Sequence, residues 1–450
     1  MTIAWRAELL FNIRNTIKNM LRLPPEHNVH PQVRKEFKNN FLSNMVYIAV
    51  FDLGESFIST NTILPVFVSM ITESALIVGM VPAIIRSGSL IPSFFLAPYV
   101  NGLSRKIPFA KTTARISHIL PFYILAGTPF LLIFLPPAIV VWIFMFAVLF
   151  RGFSVGVSNL PWYEAIAIVI PGQVRSRFFG ISVLAAQVLG TIGSVIAGFI
   201  LANLIFPFNF GVNFLIGATF ISFSFFMFNR TVEPEVFDEP DPPQPISKEN
   251  KSLLDFSKIT LVLQTDHNFR KFIASRLLFQ LGNMPIYYVA VFGIKEFNLG
   301  NEYAAVFSVI LILSGMAGSI LLSMKGDQLG PHAVLLLTSW IRFLMILVAL
   351  LAPTIGWYYL VFVFFGLGEA AMNISELIFA MELGPERDRS IYIGVSRSLP
   401  GISVLASPVV AGLLVDSIGY RMMFLVALVL CLIGIFILMS VKDTRIVLGQ

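Results

Sequence analysis

Apolar residues run along this chain in long continuous blocks separated by short polar or basic stretches. The blocks lack the apolar/polar alternation of a half-buried strand, and most are about 20 residues or longer, enough for a helix to cross a ~30 Å hydrocarbon core. Twelve are expected to span, at residues 41–67, 75–100, 116–135, 137–164, 177–204, 208–229, 271–294, 302–324, 333–352, 355–382, 390–415 and 420–441. A membrane β-barrel would need alternating segments of about ten residues, so the expected class is an all-α, polytopic membrane protein.

Composition agrees. Of 450 residues, 56 % are hydrophobic and 12 % charged, and the mean hydropathy is +0.82; a soluble domain carries about twice that charged fraction. The single cysteine, Cys431, falls in the last expected span, so no disulfide framework exists within one chain.

Lys and Arg concentrate in residues 1–40, in the loops after even-numbered spans, and in the tail at 442–450. Only Lys295 and Arg421 fall in the opposite loops. The bias is expected to place both termini in the cytoplasm, and the cell (inner) membrane is the default address for such a multi-pass protein. The bias also accounts for the net charge of +6 without a nucleic-acid partner. Within the arm, "WRAELLFNIRNTIKNMLRL" at 5–23 spaces apolar residues at helical intervals between basic ones, as in a helix lying on an anionic membrane face.

One long polar interval, 231–268, divides the spans six and six. It begins "TVEPEVFDEPDPPQPISKEN" and reads as a cytoplasmic linker between bundles at 41–230 and 269–441. The halves show traces of duplication. Residues 150–198 align without a gap on 364–412, where "PGQVRSRFFG" at 171–180 matches "PERDRSIYIG" at 385–394. "FDLGESF" at 51–57 also matches "FQLGNMP" at 279–285, the first span of each half.

Twelve spans in two repeats, a charged central linker and internal termini together resemble the major facilitator superfamily of secondary transporters. That family carries a Gly, Asp and basic signature after the second span of each half. "MKGDQLGPH" at 324–332 is similar to it, with Gly326, Asp327 and Gly330 in place; "VNGLSRKIPFAK" at 100–111 keeps Gly102, Arg105 and Lys106 but lacks the acid. "FRGFSVG" at 150–156 is similar to the Arg-then-Gly pattern of many proton-coupled members. The resemblance implies alternating access, a central cavity lined by the first, fourth, seventh and tenth spans, and no enzymatic activity or cofactor. A monomer is expected.

Those four spans carry polar stripes. Asp52, Glu55, Ser56 and Ser59 follow i, i+3, i+4, i+7 spacing, and Arg151, Ser154 and Ser158 follow i, i+3, i+7. Arg276, Gln280, Asn283 and Tyr287 share one face of the seventh span, and Glu369, Asn373 and Glu376 one face of the tenth. An ionised group facing lipid at mid-depth costs at least ~2.5 kcal/mol, so these side chains are expected to turn inward.

Asp52 and Glu55 lie near mid-depth, as does Arg151 on the antiparallel fourth span. They are the candidate proton-coupling group, with a static pair between the two helices and recognition of a cationic substrate as the other roles open to them. Ser59, Ser158, Gln280, Asn283, Tyr287, Glu369 and Asn373 are candidate cavity residues. Arg276, Glu376, Asp327 and Gly330 are candidate gating residues. Arg86 could reach the cavity, Arg397 is placed to snorkel, and Arg342 has no partner legible in the sequence. Gly190, Gly193 and Gly198 suit close helix packing.

No P-loop, dinucleotide fingerprint or metal cluster is present in the sequence, which leaves ATP-driven transport and redox enzymology unsupported. The expected function is secondary transport of a small organic solute, coupled to protons, with efflux by antiport first. Symport of a sugar or other metabolite, and a lipid-handling or assembly role on the same fold, are the alternatives.

Overall fold

A computed structural model describes residue 23 and residues 31–101, 103, 105–233, 262–384 and 389–442. The amphipathic stretch at 5–23, apart from Leu23, and residues 234–261 of the linker at 231–268 lie outside the described residues. Among the described residues the chain is helical, without strands.

The N-terminal half comprises α1 (Pro31–Phe57), α2 (Ile63–Ile71), α3 (Ala75–Asn101), α4 (Lys106–Leu131), α5 (Pro137–Val169), α6 (Gly172–Asn203) and α7 (Phe208–Asn229). The C-terminal half comprises α8 (His267–Gly282), a 3-10 turn (Met284–Tyr287), α9 (Val289–Glu296), α10 (Tyr303–Leu329), α11 (Pro331–Leu351), α12 (Ile355–Leu383), α13 (Arg389–Ile418) and α14 (Tyr420–Met439). Among the described residues, five helices, α5, α7, α11, α14 and the 177–203 part of α6, are long and apolar enough to cross a membrane, and the α8/α9 pair, bent by 42°, makes a sixth if it is one span.

The expected first and seventh spans are both broken. Between α1 and α2 the polar run Ser59, Thr60, Asn61 and Thr62 leaves the helix, because short hydroxyl and amide side chains compete for the backbone's own hydrogen bonds. Pro65 follows in the first turn of α2, where its missing N–H costs nothing. Pro285 sits likewise in the 3-10 turn that separates α8 from α9. α1 also begins ten residues earlier than the expected span, at Pro31.

Packing repeats between the halves. α1 crosses α7 at Gly54 and Gly217, where a Cβ on Gly54 would lie 2.7 Å from the Gly217 carbonyl oxygen. The equivalent crossing of α8 and α14 uses Gly282, whose Cβ would lie 2.6 Å from Cys431 Sγ. α3 meets α5 at Gly88 and Gly152, and α10 meets α12 at Gly315 and Gly366. The halves join along two seams, α3 with α13 and α6 with α10. At one seam a Cβ on Gly198 would come 3.2 Å from the Ala305 Cβ.

The chain ends define a near end of the bundle, where Asn40 bonds Val232 and Asn268 bonds Lys442. Gly330, with φ of 79°, turns the chain there between α10 and α11, a conformation that favours glycine. The side chain of Asp327 lies outside the described residues.

Candidate functional site

Asp52 and Glu55 lie on the last turns of α1, just before the break, and with it they line a cavity of about 260 Å³. Ser56, Ser59, Thr60 and Asn61 complete the wall on that side. Across from them stand Gln187, Gly190 and Ser194 of α6 and Ser308, Leu311 and Ile312 of α10. The cavity therefore lies at the α6/α10 seam, with walls from both halves.

The two acids differ in partnership. Glu55 is ion-paired through Oε2 with Arg151 Nη2, while its Oε1 is buried without a hydrogen bond among the described residues. Arg151 is only 3 % exposed; it also donates to Thr60 Oγ1 at 3.3 Å and lies over the Phe122 ring at 5.1 Å. Asp52 is exposed to the cavity, and its carboxylate makes no hydrogen bond or ion pair among the described residues.

A second charged group crosses the seam between halves. Arg342 of α11, 1 % exposed, donates to Glu369 Oε2 of α12 at 2.7 Å. Arg86 of α3 approaches Glu369 Oε1 at 3.7 Å and donates to Asn61 Oδ1 at 3.4 Å. Arg342, whose partner is not legible in the sequence, thus pairs in its own half, and Glu369 is shared between Arg342 and Arg86. Arg276 pairs with Glu376 at 2.7 Å, wholly buried and over the Phe279 ring. Each buried arginine thereby has a carboxylate and an aromatic face in place of water.

The remaining predicted residues divide. Ser59 lines the cavity and accepts from Thr62 Oγ1 at 2.6 Å. Ser158 is buried and donates to the Val155 carbonyl at 3.1 Å. Asn283 is buried and donates to Gln280 at 3.0 Å, and Tyr287 is buried within electrostatic reach of Arg86, Glu369 and Arg342. The side chain of Asn373 lies outside the described residues. Thr60, Asn61, Gln187, Ser194 and Ser308 are site residues that the four-stripe reading missed.

At the far end of the bundle the halves are closed against each other. Asp416 of α13 accepts from the backbone amides of Ala75 at 2.9 Å and Leu76 at 3.4 Å, the first residues of α3. Tyr288 donates to the carbonyls of Ala75 and Pro408, and Thr62 meets Ser308 at 2.5 Å. At the near end, Arg105 Nε and the Lys106 amide each lie 3.3 Å from the Glu233 carboxylate, and Lys106 Nζ bonds Glu164 at 2.7 Å. The acid missing from the first signature loop is thus supplied by residues distant in sequence.

A profile of the Major Facilitator Superfamily matches residues 56–399 and, in a second alignment, 312–447. The chain belongs to the Major Facilitator Superfamily. Superfamily membership, with five helices among the described residues long and apolar enough to cross a membrane, makes it a multi-pass membrane protein. It is similar to the MFS-type transporter ppz2 of Metarhizium majus, 26 % identical over 149 residues, 33 % of this chain and 26 % of that protein. It is also similar to the efflux pump apf11 of Gibberella fujikuroi, 35 % identical over 83 residues, 18 % of this chain and 15 % of that one. The chain thus spans about a quarter or less of the length of these relatives.

Solved structures share the fold. The nucleoside transporter NupG superposes with a TM-score of 0.65 at 14 % identity, covering 90 % of this chain and 98 % of its own. A D-xylose-proton symporter gives 0.65 at 13 % identity with the same coverages. A bacterial homologue of the lysosomal transporter Spinster, inward-facing, gives 0.62 at 12 % identity, covering 92 % and 98 %.

Proposed function

We propose that this superfamily member is a proton-coupled secondary transporter that moves a small organic solute by alternating access, with efflux in exchange for protons as the working direction. The observation that carries the reading is the inequality of the two acids at the α1 break. Arg151 neutralises Glu55, and Asp52 is left beside it with its carboxylate open to the cavity. A second charge at that depth is costly, so Asp52 is the group that takes a proton from one side and releases it to the other.

The cavity also suits the role by position. It lies where both halves contribute walls, so rocking one half against the other changes its access without dismantling the α1/α5 pair. The far-end contacts correspond to closure on one side of the cavity. The chain crosses the cell (inner) membrane twelve times, with both termini cytoplasmic, and acts as a monomer. The efflux direction draws support from the partial likeness to a protein named an efflux pump.

The test uses purified protein in liposomes enclosing a pH dye, challenged with a panel of metabolites and drugs. Proton movement triggered by one compound class and lost in Asp52→Asn establishes coupling at this site. Substrate movement with unchanged pH dependence in Asp52→Asn, Glu55→Gln and the double variant sinks it.

A further inference from the structure

The cavity at the α1 break has a wall of one sign. Its described lining residues include two carboxylates, Asp52 and Glu55, and no cationic or aromatic side chain. Arg151, buried outside that lining, neutralises Glu55, so the charge of Asp52 is the one left facing the space. Most neutral groups of the wall are already engaged: Ser56 donates to the Leu53 carbonyl, Ser59 accepts from Thr62, Thr60 accepts from Arg151, and Asn61 Oδ1 accepts from Arg86.

Two wall atoms are not engaged. Ser194 is wholly buried on α6 and lines the cavity, yet its Oγ has no hydrogen-bond partner among the described residues, and Glu55 Oε1 is likewise unsatisfied. A buried hydroxyl without a partner is costly, so Ser194 is a group for a ligand to complete. Gly190 stands one turn before it on the same wall. A Cβ there would have no neighbour nearer than 3.6 Å, so the absent side chain leaves usable room in the cavity.

A lone carboxylate shielded from lipid favours one positive charge beside it. Quaternary ammonium ions are held by aromatic faces, which this wall lacks; an ammonium with N–H bonds donates to carboxylate oxygens directly. We propose that the cavity selects a small protonated amino alcohol, with its ammonium at Asp52 and a hydroxyl at Ser194. The volume of about 260 Å³ equals roughly nine waters, which fits a solute of that kind. The inference rests on the reading of Asp52 as the exchanging acid: ammonium and proton hold the same carboxylate by turns. One positive charge then crosses in each direction, so exchange follows a pH difference and is indifferent to the membrane potential.

The experiment compares ω-amino alcohols of four to eight carbons with their N-acetyl forms, which lose the charge, their N-trimethyl forms, which keep the charge and lose the N–H groups, and alkylamines of equal length, which lose the hydroxyl. Binding is read as the shift in thermal unfolding of detergent-purified protein. The amino alcohol is expected to bind about tenfold or more tighter than the N-acetyl and N-trimethyl forms. Asp52→Asn should abolish that margin, whereas Ser194→Ala should keep it and narrow the margin over the alkylamine. Gly190→Val, which leaves the carboxylate in place and fills the room opposite, should weaken the longest members of the series first. Coupling is read as dye-reported proton movement in proteoliposomes whose potential is set with potassium and valinomycin; protein-free liposomes give the passive entry of free amine. Amine-driven proton movement at the same rate with and without the imposed potential is expected.

Equal binding of the amino alcohol and its N-acetyl form, tighter binding of the N-trimethyl form, or a margin that persists in Asp52→Asn overturns the proposal. Proton movement driven by ω-hydroxy carboxylates or neutral alcohols and not by amines overturns it while leaving the proton-coupled reading intact. Exchange that follows the imposed potential overturns the shared use of one carboxylate. An amine preference that depends on Asp52 but brings no proton movement supports the site and removes the coupling reading instead.

Discussion

Asp416, near the end of α13, caps the first turn of α3 by accepting the Ala75 amide at 2.9 Å. The cap joins the two halves, so it forms only when the far end is closed. Side-chain caps of helix N-termini contribute about 0.5–2 kcal/mol, enough to move a two-state population several-fold. Asp416→Asn keeps an acceptor but loses the charge that favours a helix N-terminus. The expected outcome is a shift toward the far-end-open state, read as longer distances between spin labels placed on α3 and α13 at that end. Cys431, the chain's one cysteine, is buried, so engineered label sites face little background. An unchanged distance distribution would show that the cap follows closure without favouring it.

Gly412 carries the same closure through shape. A Cβ there would lie 2.9 Å from the Leu76 backbone nitrogen, and backbone cannot swing aside as a side-chain tip can. Gly412→Leu is expected to fold but to hold the far end apart, abolishing transport while ligand binding from the far side persists. Transport at the unaltered rate would mean that α13 and α3 need not approach this closely during the cycle.

The α1 acids should separate by stability as they do by partnership. Arg151 is buried, so Glu55→Gln leaves its charge uncompensated, a change that typically costs ~3–5 kcal/mol. Asp52→Asn removes no pair and should change stability by about 0.5 kcal/mol or less, as for unpartnered positions generally. Thermal unfolding of the two variants in one detergent checks the order. Equal destabilisation by both would assign Asp52 a structural bond and weaken its role as the exchanging acid.

Much of this was legible in sequence because membrane physics writes it there. Long apolar blocks read as spans, five or six of the helices among the described residues are long and apolar enough to cross a membrane, and the mid-block charges Asp52, Glu55 and Arg151 do turn inward. What was hidden depends on tertiary arrangement. The partners of Arg342 and Arg86 lie on other helices, at positions that no spacing rule connects. The stripe Arg276, Gln280, Asn283, Tyr287 assumed a continuous helix, and the break after Gly282 changes its phase, so Asn283 and Tyr287 are packed rather than lining the described cavity. The α1 break left a signal, the polar run 59–62 before Pro65, which the hydrophobic block around it concealed. Gln187, Ser194 and Ser308 reach the cavity because it sits at the α6/α10 seam, outside the four helices expected to line it.

Glu369 offers a test of whether charge or shape holds the second half together. Arg342 is 1 % exposed and its short ion pair is with Glu369, so Glu369→Gln strands a cation in the bundle and is expected to destabilise by ~3–5 kcal/mol. Replacing both partners, Glu369→Gln with Arg342→Met, removes the stranded charge and should recover most of that loss, because Met can pack against the Phe365 ring now under the guanidinium. Thermal unfolding of the single and double variants measures the coupling. A double variant no more stable than Glu369→Gln would mean that Arg342 is held by its stem packing, and that the Glu369 carboxylate answers mainly to Arg86 across the seam.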